Sequence, residues 1–266
     1  MGESEKNQAV KETPWKIPFK SLSVVGVLVI LFQIGLFLTI DNNDYNITDT
    51  VYLVLLGLIG VLALVASKKE TFKEKINSKF VFLGIGYLLF LSGDIAFYYY
   101  DYVLEIDPYP SPFDLLFLGG YFFISLHFVS LKKYFQIKLT NKQKYLEIII
   151  PIIVSSIYVI ASFIQWGRYE GLEFDLLWGT LFTIGSSITL SIAIIFGLKV
   201  REKIHPTWVI LVAGVVIGMI AEVWYYYLET FEAFYSSHVV NTVWISSFLL
   251  IVFSLIKFNN LQKSKS

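Results

Sequence analysis

Apolar runs of about 18 to 25 residues recur along this chain, each long enough as a helix to cross about 30 Å of hydrocarbon at about 1.5 Å per residue. Eight are legible: Ser21 to Ile40, Thr50 to Ser67, Phe80 to Val103, Pro112 to Leu131, Tyr145 to Gln165, Phe174 to Leu198, Pro206 to Leu228 and His238 to Lys257. A water-soluble domain of 266 residues could not hide a composition that is 56% hydrophobic and 17% aromatic, so the fold class is an all-α integral membrane protein. The first run is too long for a signal-peptide core and lacks a small-residue cleavage site, which makes it an uncleaved first span. A formal net charge of zero supplies no field for nucleic acid, and the absence of cysteine removes disulfides, thiolate metal sites and cysteine nucleophiles.

Lysine placement sets the expected topology, because short basic loops stay on the cytoplasmic side. Lys6, Lys11, Lys16 and Lys20 lead the chain, Lys68 to Lys79 fill the second loop, Lys132 to Lys144 the fourth, Lys199 to Lys203 the sixth and Lys257 to Lys265 the tail. The other loops share only Arg168, an asymmetry of about twenty to one that predicts eight transmembrane helices with both termini cytoplasmic. The expected division is a cytoplasmic segment at 1–20, a first four-helix half at 21–131, a basic linker at 132–144, a second half at 145–257 and a tail at 258–266.

Self-similarity supports the two halves. Asp49-Thr50-Val51-Tyr52, Asp114-Leu115-Leu116-Phe117, Asp175-Leu176-Leu177-Trp178 and Asn241-Thr242-Val243-Trp244 open the even-numbered spans from the outside. Gly93-Asp94-Ile95-Ala96 before Tyr98-Tyr99-Tyr100 is echoed by Gly218-Met219-Ile220-Ala221-Glu222 before Tyr225-Tyr226-Tyr227, which sets Met219 opposite Asp94. Four spans per half give both halves one orientation, hence two parallel repeats about an axis along the membrane normal. The opening Asp or Asn reads as a helix cap, and the aromatic three residues on as part of the interfacial belt.

Two buried acids are the candidate chemistry. Asp94 falls about fourteen residues into an outward-running helix, roughly 21 Å from the inner boundary, where a carboxylate needs a partner or a wet cavity. Asp94 shares a helical face with Tyr98, and Glu222 with Tyr225 and Tyr226. Asp94 and Glu222 would then face an outer vestibule rimmed by Tyr98, Tyr102, Trp224 and Tyr225, while Asp114 and Tyr121 share a face of the fourth span behind Pro108, Pro110 and Pro112. Carboxylates among aromatic rings suit an organic cation; the alternative is that they bond neighbouring hydroxyls and hold helices together. His127 reads as a hydrogen-bonder inside the bundle and His238 as a group able to sense external pH. No cofactor or metal is implied, since phosphate loop, dinucleotide fingerprint and metal-ligand spacing are all missing.

Gly93-Asp94 with its following aromatics, then Tyr109-Pro110-Ser111-Pro112-Phe113-Asp114-Leu115-Leu116-Phe117-Leu118 and Tyr121, resembles a pattern in the multi-span amino-terminal sensory regions of prokaryotic diguanylate cyclases and histidine kinases. The resemblance implies a plasma-membrane input module, with Asp94, Asp114 and Tyr121 as the matching positions. Phe113 stands where that pattern has a small residue, and residues 258–266 leave no room for an output domain, so signalling would pass to a partner protein. A weaker similarity, the Gly-Asp pair within a span, is to the eight-span lysoplasmalogenase-like family; it implies an intramembrane hydrolase using Asp94 with Asp114 or Glu222 as acid and base. The expectation is a receptor-like, non-enzymatic module in a lipid bilayer that binds a small, cationic ligand. A transporter, a hydrolase or a structural membrane subunit are the alternatives.

Overall fold

The computed structural model describes residues 19–38, 47–68, 78–106, 108, 111–165, 172–200, 206–235 and 238–263. The helices are α1 (Phe19–Leu38), α2 (Ile47–Ser67), α3 (Phe80–Tyr98, running on as a π-helical turn over Tyr99–Val103), α4 (Asp114–Tyr134), α5 (Asn141–Gln165), α6 (Leu172–Val200), α7 (Pro206–Thr230) and α8 (Val239–Lys263). Seven of them, α2 to α8, are long and apolar enough to cross a membrane, and α1 carries a shorter apolar stretch over Leu22–Leu36. The chain is therefore an all-helical, multi-pass membrane protein. The leading lysines Lys6, Lys11 and Lys16, loop residues 69–77, Asp107, Tyr109, Pro110, Arg168, the Asp175 side chain and His205 lie outside the described residues.

Several helices outrun their apolar stretches. α5 starts at Asn141 because Thr140 and Gln143 form a reciprocal capping box, with the Thr140 N–H donating to Gln143 Oε1 at 3.0 Å and the Gln143 N–H to Thr140 Oγ1 at 3.4 Å. The polar end of α8 continues to Lys263, and Asn259 Nδ2 there donates to the Leu62 carbonyl of α2 at 3.3 Å. Such polar turns carry no apolar signal and so escape a hydropathy reading.

Six helices close a ring. α2 packs on α3, α3 on α4, α4 on α6, α6 on α7, α7 on α8, and α8 returns to α2. α5 lies outside against α6 and α7, and α1 outside against α8 and α2. α3 and α7 consequently take opposite positions in the ring. Large apolar side chains such as Ile30, Ile152 and Ile160 stay exposed on the two outer helices, the surface expected to meet lipid.

Two crossings in the ring are alike in atomic detail. A Cβ placed on Gly86 would meet the Gly120 carbonyl oxygen at 3.0 Å and the Ile124 nitrogen at 3.2 Å. One on Gly214 would meet the Ser247 carbonyl oxygen at 3.0 Å and the Ile251 nitrogen at 3.2 Å. Here α3 against α4, and α7 against α8, approach backbone to backbone, which only a residue without a side chain permits. At the end where α3 begins, fully buried His127 sits between Phe80 and Phe128, its Nδ1 2.8 Å from the Lys79 carbonyl oxygen. This agrees with its reading as a hydrogen-bonder between helices.

Candidate functional site

α3 and α7 bring Asp94 and Glu222 within electrostatic range of one another across the ring. Both side chains are half-buried. Glu222 is partly satisfied: the Tyr121 hydroxyl of α4 donates to its Oε2 at 3.0 Å, and the Tyr226 hydroxyl lies 3.3 Å from that of Tyr121. The Trp244 indole N–H of α8 also faces Glu222 but meets no acceptor at hydrogen-bond geometry. Asp94 is the more exposed energetically, since its Oδ2 is sealed from solvent and has no hydrogen-bond partner. A carboxylate oxygen buried without a donor costs several kcal/mol in general, and a cation or a proton delivered to it recovers that cost.

Near these acids the aromatic rings make a closed chain of contacts, with Tyr52, Tyr87 and Tyr225 in electrostatic range of Glu222. Going round by ring contacts, Tyr225 meets Trp244 (5.1 Å between centroids), Trp244 meets Tyr52 (5.8 Å), Tyr52 meets Phe248 (4.9 Å) and Phe248 meets Tyr87 (6.2 Å). The circuit continues from Tyr87 to Phe90 (6.0 Å), Phe117 (6.3 Å), Phe182 (6.2 Å), Tyr226 (5.4 Å) and back to Tyr225 (5.4 Å). Every one of the six ring helices contributes. Tyr121 packs edge-on against Phe90 at 5.0 Å and so joins its hydroxyl to the same wall. Ring faces carry negative quadrupole potential, of the same sign as the carboxylates beside them.

A third acid lies at the rim. Asp49, in the first turn of α2, accepts the Tyr102 hydroxyl at 3.2 Å and also faces the Tyr98 hydroxyl. Tyr98 and Tyr102, four residues apart across the start of the π-helical turn, share a helical face, and their rings stack at 5.9 Å with both hydroxyls at one carboxylate.

Not all residues singled out from the sequence meet here. Asp94, Tyr98, Tyr121, Glu222 and Tyr225 are brought together, with Tyr102 at the rim. Asp114 is not: it is buried at the start of α4, where its Oδ2 accepts the Ser111 N–H at 2.7 Å and closes its own turn. Trp224 is also set apart, 37% exposed with its ring edge-on to His238 at 5.5 Å, because the helical turn that points Tyr225 inward points Trp224 out. His238 Nδ1 accepts the Val240 N–H at 3.1 Å and so caps α8. Among the described residues no three His, Asp or Glu side chains converge as a metal site.

Residues that sequence reasoning passed over supply most of the wall. Tyr52, Phe117 and Trp244, which read as part of the interfacial belt, instead pack against ring partners on neighbouring helices, Trp244 and Phe248 for Tyr52 and Phe90 and Phe182 for Phe117. Tyr87, Phe90, Phe182 and Phe248 had a signal in the spacings Tyr87-Phe90-Asp94, Trp178-Phe182 and Trp244-Phe248, each three or four residues apart.

No family model, no curated protein and no solved structure matches the chain.

Proposed function

We propose that this protein is an eight-span receptor module of the plasma membrane that holds a small organic cation between Asp94 and Glu222, beside the aromatic circuit. Both termini lie in the cytoplasm on this reading, the site opens outward, and occupancy is passed to a partner protein. The observation that carries it is a pair of facing acids next to a closed chain of ring contacts, one acid with a buried oxygen that has no donor. Neither salt bridge nor lysine answers these acids among the described residues, where the one ion pair is Lys132 with Glu147. An outside cation is the chemistry that completes them. The resemblance of the Asp94 to Tyr121 stretch to sensory regions favours reception over transport.

The two parallel four-helix repeats belong to the same reading, and the glycine crossings support them. Gly86 and Gly214 are 214 − 86 = 128 residues apart, and Asp94 and Glu222 are 222 − 94 = 128 apart. In this register Glu222, rather than Met219, is the counterpart of Asp94, and the acids are related by the axis they face. Titration of the detergent-purified protein with primary and quaternary amines, followed by tryptophan fluorescence, tests the proposal. Saturable change with amines and none with matched carboxylates is the result it requires, whereas accumulation of the same amines inside proteoliposomes would replace the receptor with a transporter.

A further inference from the structure

A second feature lies at the opposite end of α4 from the acids, where Val129, Lys132, Lys133, Gln136, Ile137, Lys138 and Leu139 line an open depression of about 520 Å³. Its lining carries three lysines and no acid. Lys132 is held in place by Glu147 of α5 at 2.5 Å, so one of the three charges is already answered. Among the described residues neither Lys133 nor Lys138 has a carboxylate partner, and both side chains are exposed.

The turn that shapes the depression is built rather than loose. The Gln136 N–H donates to the Lys133 carbonyl at 3.2 Å and the Ile137 N–H to the Lys132 carbonyl at 3.0 Å, the double bond pattern that closes a helix through a left-handed residue. That residue is Gln136, at φ 50°, where glycine would be the less strained choice. Gln136, itself exposed, lines the depression beside the lysines. The wall on the helix side is apolar and continuous with the membrane-facing surface, since Val129 is exposed within the apolar span of α4.

We infer that this depression seats the headgroup of an anionic phospholipid from the adjoining leaflet, the phosphate between Lys133 and Lys138 with Gln136 donating, and the acyl chains along Val129. Two unanswered lysines at the edge of a span match such a headgroup in charge, and the apolar wall matches its tails. A soluble acidic segment would use the lysines but leave the apolar wall bare.

Delipidated protein in neutral detergent, titrated with phosphatidylglycerol, phosphatidylcholine, inorganic phosphate and a poly-glutamate peptide while the unfolding midpoint is followed, decides the matter. Phosphatidylglycerol alone should raise the midpoint. Lys133→Ala with Lys138→Ala should weaken its apparent affinity about thirtyfold while leaving the midpoint without lipid unchanged. Equal response of the double variant overturns the inference, as does an equal rise with inorganic phosphate or with the peptide. If the double variant does not fold, Lys138→Gln alone, scored by lipid retained in native mass spectrometry, keeps the question open to refutation: undiminished retention of phosphatidylglycerol over phosphatidylcholine sinks it.

Discussion

The Tyr121 hydroxyl on α4 donates to the Glu222 carboxylate on α7 at 3.0 Å, joining two helices that α6 separates in the ring. This bond orients one acid and leaves the other, Asp94, without a donor on Oδ2. Tyr121→Phe removes the donor and the 3.3 Å contact with Tyr226 while keeping the ring against Phe90. The unfolding free energy should fall by about 1–2 kcal/mol, the range for an interhelical bond to a carboxylate, as read from the unfolding midpoint in detergent.

Trp244→Phe should separate the wall from the fold. Its indole N–H faces Glu222 without reaching hydrogen-bond geometry, and a phenyl ring still stands between Tyr225 and Tyr52. Tryptophan presents the strongest ring quadrupole, so amine affinity should drop about three- to tenfold, about 0.7–1.4 kcal/mol. Isothermal titration would register this with a nearly unchanged melting curve.

Gly86→Ala and Gly214→Ala each press a methyl onto a carbonyl oxygen at 3.0 Å. Each should destabilise the bundle by about 1–3 kcal/mol, and by similar amounts if the halves are repeats. Gly26→Ala is the control, because nothing lies within 4 Å of that position; there the better helix former should be neutral or gain about 0.5–1 kcal/mol. Chemical denaturation of the three variants side by side gives the comparison.

What was legible in the chain follows from where side-chain chemistry repeats. Apolar runs located α3 from Phe80 and α7 from Pro206 at their first residues, because hydrocarbon demands an uninterrupted signal. The capped start of α5 and the polar end of α8 lie outside that demand, and their helical state depends on bonds such as Thr140 with Gln143. The candidate acids could be named because a carboxylate inside a span stands out against its neighbours. Their surroundings could not, since whether Tyr52 faces lipid or the ring interior depends on helix rotation, which α8 sets by packing Trp244 and Phe248 against it. Asp114 misled for a related reason: a turn-closing acid and a ligand-binding acid look the same in sequence, and the Ser111 N–H distinguishes them only in three dimensions.

On the proposed function, Asp94 is kept for a ligand at a cost to the fold. Amine affinity and unfolding midpoint measured together on wild type and Asp94→Asn put it to the test most directly. The neutral amide removes a buried charge and its repulsion with Glu222, so the midpoint should stay level or rise while amine affinity falls at least tenfold, about 1.4 kcal/mol. A lower midpoint with amine binding unaltered would contradict the account and make Asp94 a group that holds helices together.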